Sequence, residues 1–239
     1  MLRSEINAIM ADADEFIRSH GFRLPPFAYW TPESWRERGE EVREIADRAL
    51  GWDITDYGTG DFAHIGLFLF TLRNGSPEAL RTGQGKIYAE KLLISQADQI
   101  APMHFHKVKT EDIINRGGAD LAVEVYNSTP DEQLGDGPVE LSLDGVRRTC
   151  KPGEVLILKP GESVTLTPGV YHKFWGERGR VLIGEVSSIN DDATDNFFLD
   201  PIGRFPTIDE DVPPLHLLVG DYGRYYGGRL KPANSDRCA

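Results

Sequence analysis

Met103-His104-Phe105-His106-Lys107-Val108-Lys109-Thr110-Glu111 sets two histidines two residues apart on a strand-like run, so both side chains leave the same face. Glu111 lies five residues beyond His106, the wrong parity for one uninterrupted strand. The chain must therefore turn or bulge between Lys107 and Thr110 to bring the carboxylate round to the imidazoles. Asn115-Arg116-Gly117-Gly118 then reads as a turn into the next strand. A fourth donor comes from Thr167-Pro168-Gly169-Val170-Tyr171-His172, where a Pro-Gly turn launches a strand that begins near the histidine. Three imidazoles and a carboxylate suit Mn, Fe, Co, Ni or Zn and leave two octahedral positions for water or substrate. The competing reading is that these histidines are satisfied polar groups in a barrel without a metal.

Working outward, short strand-like runs occupy 65–72, 86–94, 100–106, 121–127, 139–143, 155–158, 163–166, 171–175 and 180–188, punctuated by Gly, Pro, Asn and Asp. Many short strands with turn signals every ten residues or so indicate a sandwich or barrel, not parallel βαβ units. The expected fold is mainly β, a double-stranded β-helix (jelly-roll barrel) over 61–190, with an N-terminal helical cover over 1–60 and a C-terminal tail over 191–239, one structural domain in all.

Ile6, Ile9, Met10, Ala13, Phe16 and Ile17 predict an amphipathic helix from Ser4 to His20, ended by Gly21. Thr31 as N-cap with Pro32 after it predicts a second helix running through Val42, Ile45 and Leu50 to Gly51. Trp30, Trp35 and Trp52 are expected to pin these helices to the barrel. The tail, with Pro201, Pro206, Pro213 and Pro214 beside Phe197, Phe198, Phe205 and Leu215, reads as an extended wrap, too apolar for disorder. His20 reads as a helix-end residue, His64 and His216 as core-edge histidines, and Trp175 as a packing residue.

With 26 Lys and Arg against 38 Asp and Glu, the chain carries a net charge of −12, which argues against nucleic acid as a partner and for a neutral or cationic small molecule. Cys150 and Cys238 have no framework spacing, as expected of a reducing, cytoplasmic protein. No apolar run reaches the length of a signal peptide or a membrane span, so a soluble protein without a membrane partner is expected.

His104-x-His106-x4-Glu111-x6-Gly118 and Gly161-x5-Thr167-x-Gly169-x2-His172 resemble the two motifs of the cupin superfamily over roughly 85–190. Asp98 stands where the first motif usually has Gly, Thr167 where the second has Pro, and Gly176 where it has Asn; these affect turns and not the four donors. More closely, Glu111 to Gly118, Gly184-Glu185-Val186-Ser187-Ser188 through Asn196, and Gly203-Arg204-Phe205-Pro206 resemble the D-lyxose ketol-isomerase family of cupins. That resemblance implies interconversion of D-lyxose with D-xylulose, and more weakly of D-mannose with D-fructose, usually with manganese, through a metal-stabilised enediolate. It makes His104, His106, Glu111 and His172 the metal ligands.

Such chemistry needs a proton carrier beside the metal that is not itself consumed as a ligand. Lys109, whose pKa a divalent cation would lower, is one candidate, and a solvated rim lysine is its alternative. Glu210 is a second, on a tail that would fold over the barrel mouth, with Arg204 and Asp211 as substrate-binding partners; Glu210 and Asp211 read equally as surface acids. Lys91, on the strand before the motif, would reach sugar hydroxyls or simply line the barrel. Gly83-Gln84-Gly85-Lys86 lacks the flanking strand and helix of a phosphate loop, so an unphosphorylated sugar is expected. A homodimer is expected by family analogy. An iron-dependent cupin dioxygenase and a non-catalytic sugar-binding cupin remain as alternatives.

Overall fold

The computed structural model describes residues 1–192 and 194–230, so Cys238 lies outside the described residues. Helix α1 (Arg3–Ser19) buries Ile6, Met10, Ala13 and Ile17, each at most 1% exposed. Their spacing of three and four residues makes one apolar stripe, and each large side chain contributes about 1.5–3 kcal/mol on full burial. After a 3-10 turn (Pro26–Tyr29) come α2 (Pro32–Arg36), a second 3-10 turn (Glu40–Val42) and α3 (Arg43–Asp47). Thr31 caps α2 as expected, its hydroxyl accepting from Ser34 N at 3.2 Å, but the predicted long helix is broken into these pieces. Tertiary partners take the carbonyls that would have continued it: Trp35 O accepts from Gly227 N and Gly39 O from the Tyr226 hydroxyl.

Strand β1 (Gly51–Thr55) opens the sheet, ahead of the expected boundary at 61. It is followed by β2 (Leu67–Arg73), α4 (Pro77–Thr82), β3 (Tyr88–Ser95), β4 (Ala101–Phe105), β5 (Glu111–Asn127), β6 (Val139–Leu143), β7 (Val146–Cys150), β8 (Glu154–Leu158), β9 (Ser163–Leu166), β10 (Val170–Ser188), β11 (Phe197–Phe198) and α5 (Tyr222–Tyr225). Helices α4 and α5 and strand β7 had no counterpart in the sequence reading.

All strand pairings are antiparallel, in the order β1-β2-β3-β10-β5-β9-β6-β7. Strands β5 and β10, of 17 and 19 residues, pair with each other and serve two sheets. One half of β10 pairs β4 through His172 and Phe174, and the other half pairs β3 from Val181 to Ser188. Likewise β5 pairs β9 from Glu111 to Ile114 and β8 from Leu121 to Val125. From the sequence, β10 was expected as two runs, at 171–175 and 180–188, and β5 as a single run at 121–127 after a turn at 115–118. A shared bend joins them instead, where the β10 register shifts between Glu177 and Val181 opposite Gly117 and Gly118. Gly118 has φ +95, and a Cβ there would stand 2.4 Å from Arg180 O, so the bend demands glycine.

The barrel interior holds Leu67, Leu69, Leu93, Ile113, Val123, Phe174 and Ile183, while the outer face of the same strands (Trp52, Ile54, Phe68, Phe70, Leu92, Leu182) packs on α1. Both faces of β2 and β3 are thus covered, which is why these strands read as apolar runs without clean alternation. Trp52 does join helix to barrel, its indole N–H donating to Ala28 O at 2.6 Å. Trp30 and Trp35 instead meet the tail, in a cluster with Leu217, Tyr222, Tyr225 and Tyr226.

Candidate metal centre

The register brings the candidate ligands together. His104 on β4 lies opposite His172 on β10 and, on its other side, opposite Phe198 on β11. The expected turn follows His106, and its builder is Asp195. The Asp195 carboxylate accepts from the backbone N–H groups of Lys107 (2.8 Å), Val108 (3.2 Å) and Lys109 (2.9 Å), while its carbonyl oxygen takes the His106 Nδ1 hydrogen bond. That turn delivers Glu111 as the first residue of β5.

The donor atoms of His104, His106, Glu111 and His172 all lie within 4.8 Å of one another. Each imidazole has its tautomer set by a carbonyl, which only accepts: Nδ1–H donates to Pro102 O from His104 (2.8 Å), to Asp195 O from His106, and to Val170 O from His172 (3.1 Å). Nε2 of all three is thereby left as a lone pair. Glu111 Oε1 stands 3.0 Å from His172 Nε2 and 3.4 Å from His106 Nε2, and these three buried atoms have no hydrogen-bond partner. Acceptors converging on one point out of water form a set that could hold a metal ion. Burial holds the His104 imidazole well below the usual histidine range, helped by the neighbouring imidazoles, so it is a neutral donor. For Glu111 burial works the other way, but the Lys109 ammonium more than offsets it and keeps the carboxylate ionised.

A polar wall continues from this cluster. Lys109 Nζ lies 2.6 Å from Glu111 Oε2 and 3.1 Å from Glu185 Oε1, and Lys91 Nζ lies 3.5 Å from Glu185 Oε1 and 3.3 Å from Asp192 Oδ1. Lys91 and Lys109 are 2% and 4% exposed, so neither is a solvated rim lysine. Burial disfavours the Lys109 ammonium, yet Glu111, Glu185 and Asp192 outweigh it and raise its pKa above the ordinary lysine value. With Tyr57, Leu69, Phe198, Asn196 and Arg204, this wall lines a cavity of about 430 Å³, counting the open space at its mouth.

The tail contributes to the cavity, but not through the acids expected of it. Glu210 is bound to Arg3, with Nε and Nη2 of the guanidinium each 2.8 Å from a carboxylate oxygen, and Asp211 accepts from Ser4 N and Oγ at the start of α1. These acids anchor the helical cover, and neither lines the cavity. The reason is directional: after Arg204 the chain leaves the mouth and runs alongside residues 1–7. Asp192 and Asn196 line the cavity instead. Three other histidines lie apart from the cluster: His20 ends α1, His216 stacks on Trp52, and His64 is an exposed partner of Asp61 and not a core-edge residue.

Glu185 is the acid that the sequence reading left without a role. Its signal was present: in Val181-Leu182-Ile183-Gly184-Glu185 it shares the inward parity of Ile183, where an acid is unexpected without a use. Asp53 on β1, 7% exposed between Trp52 and Ile54, escaped notice for the same reason.

The D-lyxose isomerase family profile matches residues 1–222. The D-lyxose/D-mannose isomerase of Serratia proteamaculans is 47% identical over 228 residues, covering 94% of this chain and 99% of that protein. The D-lyxose/D-mannose isomerase of Escherichia coli O157:H7 is 46% identical, covering 94% and 100%. Among solved structures, Cellulomonas parahominis L-ribose isomerase with L-ribose superposes with a TM-score of 0.58 at 16% identity, covering 87% of this chain and 98% of that one. Acinetobacter sp. DL28 L-ribose isomerase gives 0.55 at 13%, with the same coverage. At such identities these two speak for the barrel fold alone.

Proposed function

This chain belongs to the D-lyxose isomerase family, and from that premise we propose that it is an aldose–ketose isomerase converting D-lyxose to D-xylulose and D-mannose to D-fructose. The observation that carries a metal-dependent version of this reading is the convergence of three tautomer-locked Nε2 atoms on Glu111 Oε1. A divalent ion held by His104, His106, Glu111 and His172, for which we propose manganese, supplies positive charge against the carbonyl and hydroxyl oxygens of the sugar as negative charge develops on them.

The chain's own residues would do the rest. Glu185 is a buried carboxylate outside the ligand set, so it is free to take the proton from the carbon beside the carbonyl and return it to the neighbouring carbon. Lys109 and Lys91 flank it on two sides, fix its orientation and keep hydrogen-bond donors at the level of the sugar oxygens. Lys109 also holds Glu111 Oε2, which leaves Oε1 for the ion. Arg204 reaches the sugar from the tail. The apolar floor of Leu67, Leu69, Ile113 and Phe174 keeps bulk water from the reacting carbons.

The helical cover, barrel and tail would act as one domain, since single clusters of buried side chains join them. A cytoplasmic homodimer is the assembled form we propose; exposed Val155 and Ile157 on edge strand β8 and Val146 on β7 support a covered edge. The test is turnover of D-lyxose and D-mannose by chelator-stripped protein with Mn added back, beside a His106→Ala variant. Activity that returns with Mn and is absent from the variant is expected. Oxygen uptake with iron and no sugar conversion would replace this reading with the cupin dioxygenase.

A further inference from the structure

The polar wall ends in an ion bridge around Arg204. Arg204 Nη2 donates to Asp53 Oδ2 at 2.7 Å and to Asp192 Oδ2 at 3.1 Å, whereas Nη1 of the same guanidinium is buried and has no hydrogen-bond partner. The backbone beneath it is tied down as well. Thr55 Oγ1 donates to Arg204 O at 2.7 Å, and Gly203 N donates to Tyr57 O at 3.0 Å. Burial works against the Arg204 charge, but Asp53 and Asp192 more than offset it and the side chain stays a cation.

This ion bridge is also a partition. On one side is the catalytic cavity, lined by Tyr57, Asp192 and Arg204. On the other is a second cavity of about 890 Å³, its open mouth included, lined by Asp53, Thr71, Asn74, Asn190, Asp192 and Phe205. In the series of contacts that starts at Glu111, Arg204 comes last, after Lys109, Glu185, Lys91 and Asp192.

We infer that the Asp53–Arg204–Asp192 bridge is the specificity-determining end wall of the sugar pocket. It stops the carbon chain and presents Arg204 Nη1 to the hydroxyl on the carbon farthest from the reacting pair. The inference rests on the isomerase reading and deepens it. Arg204 would touch the substrate. Asp53 is a positioning residue, since its carboxylate reaches the pocket only through Arg204. A wall at a fixed distance from the reacting carbons sorts aldoses by length: it favours the chain that just reaches Nη1 and makes a longer one crowd against the guanidinium.

The experiment compares metal-loaded wild type with Asp53→Ala and Arg204→Lys on D-lyxose and D-mannose, after thermal melts have shown that the variants fold. Loss of Asp53 frees the guanidinium to swing toward the second cavity. Arg204→Lys keeps a cation between the two acids but removes Nη1, so it carries the test should Asp53→Ala not fold. For either variant the KM for the pentose is expected to rise about tenfold, the cost of misplacing one charged donor, with kcat falling less than about threefold. The hexose-to-pentose ratio of kcat/KM should rise about fivefold. An unchanged ratio, or a loss confined to kcat and equal on both sugars, overturns the inference.

Calorimetric binding of D-arabinitol and D-mannitol to the metal-loaded proteins makes the same comparison without turnover. Wild type that binds the pentitol more tightly, with the preference levelled in the variants, supports the end wall even if neither aldose is converted, in which case the isomerase reading alone fails. Equal binding of both alditols by wild type, or none, overturns it.

Discussion

Replacing Glu185 by Gln separates chemistry from architecture more cleanly than any other change at this site. The substitution is isosteric and removes the carboxylate charge. Around it, Lys91 keeps Asn190 at 2.6 Å and Asp192 at 3.3 Å, and Lys109 keeps Glu111 at 2.6 Å, so neither buried ammonium is left unpaired. The stability cost should therefore stay near that of one weakened charge-assisted hydrogen bond, about 1–3 kcal/mol. Glu185 is outside the ligand cluster, so manganese content should match wild type. Catalysis should not survive as well: a positioned general base contributes about 10²–10⁴-fold, equivalent to roughly 3–5 kcal/mol of barrier. Two measurements are needed, kcat on D-lyxose with saturating Mn and the rate of solvent deuterium entry at the transferred position. Both should fall at least about 100-fold with KM little changed. A variant within about tenfold of wild type in both, with metal bound, would refute the assignment of the proton to Glu185 and return it to Lys109 or the ligand carboxylate.

Other consequences follow from the same geometry. Glu210→Gln should leave kcat within about twofold and lower the melting temperature, because its partner Arg3 keeps Asp221 at 2.9 Å; a loss of kcat above about tenfold would put Glu210 back into the chemistry. Gly118→Ala forces a Cβ against Arg180 O at φ +95, so the bend shared by β5 and β10 should lose about 2–4 kcal/mol in urea unfolding; a change under about 0.5 kcal/mol would show that the bend tolerates a side chain. Burial would raise the Asp192 carboxyl, but Lys91, Arg204 and Lys109 hold it well below its ordinary value. Its stabilising contribution is thus fully present above the unfolded value of about 3.9 and is lost as pH falls below it toward the folded one. Urea midpoints between pH 6 and pH 3 should accordingly fall less steeply in Asp192→Asn than in wild type, and parallel slopes would contradict that sign.

Much of this protein is written locally. The three-and-four spacing of Ile6, Met10, Ala13 and Ile17 is a property of the helix itself, so α1 was legible, and so was the cap at Thr31. The second helix was not, because the carbonyls of Trp35 and Gly39 are claimed by residues near 226, nearly 200 positions away and beyond the reach of any local pattern. Strand β10 was read as two runs, and β5 as one run after a turn at Asn115-Arg116-Gly117-Gly118, because Gly117-Gly118 and Glu177-Arg178-Gly179 look like turns. Only the pairing of the two strands shows that both punctuation marks fall at one continuous bend.

By itself the sequence determined the four-donor set and the turn that carries Glu111 round to the histidines, because parity along a strand is covalent arithmetic. Its motifs also pointed to the family, and its charge balance turned the reading away from nucleic acid. Tertiary structure alone decided which acids complete the polar wall and the ion bridge at its end. Glu185, Asp192 and Asp53 are separated from the motif by tens of residues and meet it only through sheet register and the path of the tail. That same path carries Glu210 and Asp211 to the start of α1, where Arg3 and the first-turn N–H of Ser4 offer buried and capping partners that an open cavity mouth does not.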